Sequence, residues 1–189
     1  MEIPRDSLRH PTQTLAIFID YHNFEASLRG EALHTDLVNL REYLAGGRQL
    51  TETFAYVGFN PNNPHEDGRL HRLLRMSGFL VRTKLAKVRP DGSLKCNLDV
   101  EMVLGVIDYV NQTRPDTVLL VTGDGDFVAL VQWLRTRGVR VEVASTRSSI
   151  SQELRESANG YIDLREAIEE AERKEPIREE VRLYANGNH

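Results

Sequence analysis

Short apolar runs alternate along the chain with segments in which apolar residues recur every three or four positions. Residues 15–19 form the first run, and it ends directly at Asp20, which is typical of a strand buried on both faces of a parallel sheet. Residues 118–121 form a second run of this kind, followed by a loop that carries Asp124 and Asp126. Two buried strands are therefore predicted to lead into acidic loops.

Helices are predicted between the strands, because the intervening segments have apolar residues at helical spacing and end at glycine or proline. The segment 36–44, for example, stops at the pair Gly46 and Gly47. The other predicted helices span residues 65–76, 98–110, 127–137 and 148–157. Further strands are predicted at residues 51–59, 79–85 and 139–143, with a short edge strand at 161–164.

This alternation of strands and helices predicts an α/β fold. A mostly parallel central sheet of about five strands should be covered by helices on both faces, which gives a three-layer sandwich. Ligands of such folds bind beyond the carboxyl ends of the strands, where the strand order reverses. If the strands before Asp20 and Asp124 are central neighbours, their carboxylates should meet in one crevice.

The composition predicts one core and a cytoplasmic protein. The 189 residues are 40% hydrophobic, which suffices for one domain with appendages. Cys96 is the only cysteine, so no intramolecular disulfide can form, and the sequence shows no secretion signal. Since no stretch approaches the roughly 18 apolar residues needed to span a bilayer, we expect no membrane role.

The charge is unevenly distributed. A net charge of −4 argues against a protein that holds nucleic acid by bulk positive charge alone. Residues 69–95, however, contain eight basic residues and one acid, and this cationic segment could contact phosphates. The chain end is rich in glutamate, which indicates a solvated helix or, alternatively, a helix that forms a homodimer.

The acids suggest a metal site. Asp124 and Asp126 lie two residues apart in a tight turn, where their negative charges repel each other unless a cation neutralises them. An all-oxygen ligand set favours Mg²⁺ or Mn²⁺, and no cluster of histidine and cysteine points to zinc. The structural alternatives are a turn aspartate for Asp20, a first-turn acid for Asp99, and a helix cap for Asp126.

Three segments together resemble the NYN domain, a branch of the PIN-like ribonuclease fold. They are Ile-Asp-Tyr-His-Asn at 19–23, Lys-Cys-Asn-Leu-Asp-Val at 95–100 and Thr-Gly-Asp-Gly-Asp-Phe at 122–127, in the family's order. The resemblance covers residues 14–168. It leaves an N-terminal extension, 1–13, and a charged C-terminal helix and tail, 169–189.

The resemblance implies a metal-dependent ribonuclease that hydrolyses RNA phosphodiester bonds. Its catalytic, metal-binding acids would be Asp20, Asp99, Asp124 and Asp126. Asn23 would be a further catalytic residue that positions a ligand or a water, unless it merely caps the following helix.

Substrate contacts are expected on both sides of these acids. The hydroxyl of Thr122 and the ammonium group of Lys95 could meet phosphate oxygens, although an exposed lysine without a special role is equally consistent with the sequence. Four further cations of the basic segment, Arg72, Arg75, Lys84 and Lys87, would hold the RNA backbone. His71 and Phe79 could stack on bases, with burial in the third strand as the alternative for Phe79.

Two departures from the family leave alternatives open. Gly105 stands where many relatives have an acid, and Asn159 stands where they tend to have aspartate, so the number of metal ions is undecided. A catalytically weak or inactive module that binds RNA or protein is therefore the alternative function, and DNA stays open as a substrate. A haloacid dehalogenase-type phosphatase is a weaker alternative, because that class needs an acid at position 22 and this chain has His22 there.

Overall fold

The computed structural model describes residues 12–88 and 94–173. Six strands form one parallel sheet, and two very short strands form a separate antiparallel pair. The strands are β1 (Thr14–Asp20), β2 (Gln49–Phe59), β3 (Leu80–Leu85), β4 (Lys87–Val88), β5 (Leu94–Lys95), β6 (Thr117–Val121), β7 (Arg140–Ser145) and β8 (Gly160–Asp163).

Helices connect the parallel strands. They are α1 (Tyr21–Gly30), α2 (Leu37–Ala45), α3 (Pro64–Met76), α4 (Asp99–Thr113), α5 (Val128–Thr136), α6 (Gln152–Ser157) and α7 (164–173). A single 3₁₀ turn, Gly125–Phe127, precedes α5.

The sheet separates two apolar cores, because successive side chains of a strand point to opposite faces. Phe18 of β1 belongs to the core that contains Met102 of α4 and Leu130 of α5. Ile17 belongs to the core on the other face, with Leu40 of α2 and residues of α1, α3 and α7. The predicted three-layer α/β fold is therefore confirmed.

The acid-bearing strands are central neighbours, which is the condition on which the predicted crevice depends. The strand order is β3-β2-β1-β6-β7-β8, and β1 pairs with β6 in parallel from Leu15 opposite Thr117 to Ile19 opposite Val121. The chain builds one half of the sheet outward from β1 and the other half outward from β6. The order thus reverses between these two strands, which is where ligands of such sheets bind.

Several local predictions need correction. The sheet has six strands where about five were predicted, and the sixth, β8 beside β7, is the short edge strand predicted at 161–164. Helix α6 starts only at Gln152, since the side chain of Ser151 caps it, whereas the sequence predicted a start at 148. The β4–β5 pair was not predicted, because two-residue strands carry no periodic signal.

The last described helix packs on the sheet. Ala167, Ile168 and Ala171 of α7 are buried, and the Tyr43 hydroxyl lies 2.5 Å from a Glu170 carboxylate oxygen. The helix therefore continues past residue 168, where the sequence placed a domain boundary. Residues 1–11 and 174–189, which hold most of the predicted N-terminal extension and C-terminal tail, lie outside the described residues. Within the described ranges, no helix is long and apolar enough to cross a bilayer.

Candidate metal centre

Three of the predicted acids meet at the carboxyl edge of the sheet. Asp99, Asp124 and Asp126 each offer a carboxylate oxygen, and these oxygens lie within 4.8 Å of one another. Asp99 is the first residue of α4, and the other two flank Gly125 in the turn after β6. Such a set of hard oxygen donors fits Mg²⁺ or Mn²⁺.

Asp20 is not one of the three converging acids, but it interacts electrostatically with two of them, Asp99 and Asp124. It ends β1, and its carboxylate caps α1 by accepting a hydrogen bond from the Asn23 backbone N–H at 3.2 Å. Burial raises the pKa of Asp20, and the negative charges of Asp99 and Asp124 raise it further. The charged site is therefore under repulsion that a divalent cation would relieve.

The turn after β6 is held by its own side chains. The Asp124 carboxylate accepts from the Asp126 N–H at 3.0 Å, and the Thr122 hydroxyl oxygen accepts from the Asp124 N–H at 3.2 Å. Thr122 is buried, so its hydroxyl supports the loop at a position where the sequence suggested a phosphate contact. The predicted alternative of Asp126 as a helix cap is wrong, because Asp124 provides the cap.

Asn23 joins the two central loops. It lies within α1, and its side-chain Oδ1 accepts a hydrogen bond from the Gly123 N–H at 2.8 Å. The alternative that Asn23 caps the helix is therefore wrong, since Asp20 has that role. Asn23 instead fixes the loop that carries Asp124 against the helix that follows Asp20.

Asn97 was missed in the sequence as a residue of this site. Its amide Nδ2 donates to the Asp99 carboxylate at 2.6 Å, and its Oδ1 accepts from the Asp99 N–H at 2.9 Å. An asparagine two residues before an acid at a helix start could have indicated this arrangement. Asn97 thus orients Asp99 toward the other carboxylates.

The predicted substrate contacts are only partly available. Lys84 donates to the Asn97 carbonyl at 2.9 Å and pairs with Glu101 at 2.6 Å, so its charge is already balanced. Arg72, Arg75 and Lys87 are exposed, whereas the Lys95 side chain lies outside the described residues.

The two rings proposed to stack on bases are both buried. His71 is 8% exposed and Phe79 is 3% exposed. His71 packs beside Phe59, with 6.0 Å between the ring centroids. The predicted stacking is therefore wrong for His71, and the alternative of a buried Phe79 holds.

Gly105 has a structural explanation. A β-carbon at this position would lie 2.0 Å from the hydroxyl oxygen of Tyr56, a side chain that is only 4% exposed. Tyr56 lies in β2 opposite Asp20. The phenol therefore fills the space that a side chain at position 105 would need, and the two residues fit as a pair.

The Gly105→Ala variant should be destabilised by about 1–3 kcal/mol, because a buried methyl group would overlap the Tyr56 hydroxyl. Adding Tyr56→Phe should recover part of that loss, since it removes the overlapping oxygen. Urea unfolding of the single and double variants measures the coupling. Strictly additive effects would contradict the pairing of these two residues.

The Asp20→Asn variant should stabilise the metal-free chain at neutral pH. The pKa of Asp20 is raised in the folded chain, so the protonated carboxyl group favours folding. This contribution to stability is fully present below the ordinary pKa of 3.8, and it is lost as the pH rises through the raised pKa. Asparagine keeps the acceptor for the Asn23 N–H and carries no charge. Thermal unfolding in EDTA should show a higher Tm than wild type at neutral pH, with the gap narrowing in acid. Equal Tm values at neutral pH would count against this electrostatic cost.

Known proteins resemble the chain in sequence and fold. The family model of the NYN domain matches residues 14–169. The low amplitude and bright protein LabA of Synechococcus elongatus is 33% identical over 172 residues, covering 86% of this chain and 91% of that protein. The crystal structure of a protein of unknown function from Vibrio parahaemolyticus matches with a TM-score of 0.71 and 26% identity, over 84% of this chain and 96% of that one. Because the family model spans most of its length, the chain belongs to the NYN domain family.

Proposed function

We propose that the chain is a metal-dependent ribonuclease that hydrolyses RNA phosphodiester bonds at the carboxyl edge of its sheet. The observation that best supports this proposal is the group of three carboxylates, Asp99, Asp124 and Asp126, whose oxygens lie within 4.8 Å of one another. Membership of a PIN-like nuclease family supports this function.

The four aspartates would hold Mg²⁺ or Mn²⁺, with Asp20 completing the group from β1. When bound, the ion would activate a water and offset charge on the phosphate in the transition state. Asn97 would keep the Asp99 carboxylate directed into the site, and Asn23 would hold the loop of Asp124. The Tyr56 hydroxyl at Gly105 leaves no room for a further acid there, which favours a site for one ion.

RNA is the proposed partner, and its phosphates would meet exposed cations of the basic segment. Arg72 and Arg75 on α3 and Lys87 on β4 are the candidates, because Lys84 is already paired with Glu101. A cytoplasmic setting and a homodimer formed through the C-terminal tail stay predictions. A truncation that tests the homodimer should begin after residue 173, because Ala171 is buried.

The testing experiment is a cleavage assay of the full chain on end-labelled single-stranded and hairpin RNA. Cleavage should require Mg²⁺ or Mn²⁺ and stop in EDTA, and the product lengths distinguish endonuclease from exonuclease action. A DNA strand of the same sequence tests whether the sugar is discriminated. Binding of RNA without cleavage under every metal condition would refute the proposal and support the alternative of an inactive binding module.

A further inference from the structure

A groove of about 620 Å³ opens between α1 and α3. Tyr21 and His22, which directly follow Asp20, line one side, and Val57 and Gly58 at the end of β2 contribute to its wall. Small-ligand clefts span roughly 300–1,000 Å³, so this groove has room for a nucleobase. A strand whose phosphate lies at the aspartates would have a neighbouring base within reach of it.

Tyr21 gives the groove an aromatic surface. Its ring lies 6.0 Å from the ring of Phe24, centroid to centroid, and this contact limits how the ring can turn. Aromatic side chains are the usual platform on which unpaired bases of single-stranded RNA stack. The ring stands one residue after a metal-site carboxylate, so a stacked base would belong to the nucleotide next to the reacting phosphate.

The charge of the groove suits a base edge and disfavours a phosphate. Three acids, Glu25, Glu66 and Asp67, line it together with Arg69 and His22. Glu66 accepts a hydrogen bond from the Asn63 side chain, and Asp67 accepts one from the Asn60 backbone, so both are engaged in the turn before α3. An acidic lining attracts N–H groups and repels carbonyl and phosphate oxygens.

Glu25 is the lining carboxylate that is not engaged in the turn before α3. Within the described ranges its one ion-pair partner is Arg29, 3.1 Å away and exposed, in a one-turn helical pair of the kind that contributes little. Burial raises the pKa of Tyr21, and the charge of Glu25 raises it further. The Tyr21 ring and the Glu25 carboxylate lie on the same face of α1, because residues four positions apart in a helix are neighbours.

Guanine presents the edge that fits this pair. Its ring N–H and its exocyclic amine are neighbouring donors that both oxygens of one carboxylate can accept, whereas uracil offers a single N–H between two carbonyl groups. We propose that the groove binds the base flanking the cleaved phosphate and prefers guanine, with Tyr21 stacking on the base and Glu25 accepting its donors. This inference rests on the proposed ribonuclease function, since it names the substrate that the same site prefers.

The test measures binding of the full chain to fluorescent RNA decamers by anisotropy, with Ca²⁺ replacing Mg²⁺ and RNA integrity checked on a gel. The probes are oligouridine, the same strand with one central guanosine, and that strand with inosine, which lacks the exocyclic amine. The guanosine strand should bind about tenfold more tightly than the other two. RNA that is cut under these conditions reports the same preference through the position of the cut.

Variants assign the preference to the groove. Glu25→Gln should remove the difference between the guanosine and inosine strands, while Glu172→Gln, a matched change at an exposed position of α7, should keep it. Tyr21→Ala should weaken binding of all three strands. Tyr21→Phe keeps the aromatic ring and should bind them with the wild-type affinity.

Five outcomes decide between the proposals. Equal affinities for the three strands, or a preference that survives Glu25→Gln, would overturn the inference. Displacement of the RNA by an oligolysine peptide, with peptide binding lost in Glu25→Gln, would overturn it in favour of a basic protein partner. Uniform affinities with intact Mg²⁺-dependent cleavage would refute this inference alone. A guanine preference without any cleavage would refute the ribonuclease proposal alone.

Discussion

Replacing Asp124 with asparagine should abolish metal-dependent RNA cleavage while leaving the folded chain intact. Asparagine retains an oxygen that can accept the Asp126 N–H, so the cap of the 3₁₀ turn survives. It removes one negative charge from the three carboxylates that approach within 4.8 Å. The rate should fall by more than about a hundredfold, the upper end of what losing even an outer partner of a metal site costs.

The measurement pairs cleavage rates with calorimetric titration of Mn²⁺. Asp108→Asn is the matched control, because Asp108 lies exposed on the same helix as Asp99, outside the carboxylate group. The control should keep wild-type rates and Mn²⁺ affinity. Cleavage at the wild-type rate in Asp124→Asn would show that this carboxylate has no part in the reaction.

The position of the site was predictable because it depends on topology. Residues 15–19 and 118–121 are apolar without alternation, a pattern that requires burial on both faces and therefore a central place in the sheet. Parallel neighbours end at the same edge, so Asp20 and Asp124 had to approach each other. The observed pairing of β1 with β6 confirms that step.

The division of roles within the site was not predictable. Asp124 and Asp126 both precede a helical segment, and which of them caps it depends on a 3₁₀ turn that starts three residues before α5. Moving the start of the helical segment by three residues leaves the spacing of its apolar residues unchanged, so the sequence pattern does not show where the segment begins. The alternative of Asp126 as the cap failed for this reason.

Contacts between distant segments were hidden for a different reason. Lys84 and Glu101 are 17 residues apart, and Tyr56 and Gly105 are 49 apart. Their pairing depends on how α4 lies across β2 and β3, which a single sequence does not encode locally. The cationic segment therefore indicated a phosphate contact at Lys84, whereas the structure pairs that charge with an acid.

The Gly123→Ala variant should lose both stability and metal binding, because the loop of Asp124 has no room to move. A β-carbon at Gly123 would lie 2.2 Å from the backbone oxygen of Ser149. The Gly123 N–H donates to Asn23 and its carbonyl accepts from the Ser151 N–H at 2.8 Å, so the loop is held on two sides. Relief of the overlap must break one of these bonds, and we expect a loss of about 3 kcal/mol.

Gly68→Ala distinguishes this steric effect from a general effect of replacing glycine. Gly68 lies inside α3, where an added β-carbon meets nothing within 4 Å, so alanine there should stabilise the helix by about 0.5–1 kcal/mol. Urea unfolding and Mn²⁺ titration of both variants provide the comparison. Because Gly123 directly precedes Asp124, only its replacement should displace a metal-site carboxylate. Wild-type Mn²⁺ affinity in Gly123→Ala would mean that the loop can adjust without disturbing the site.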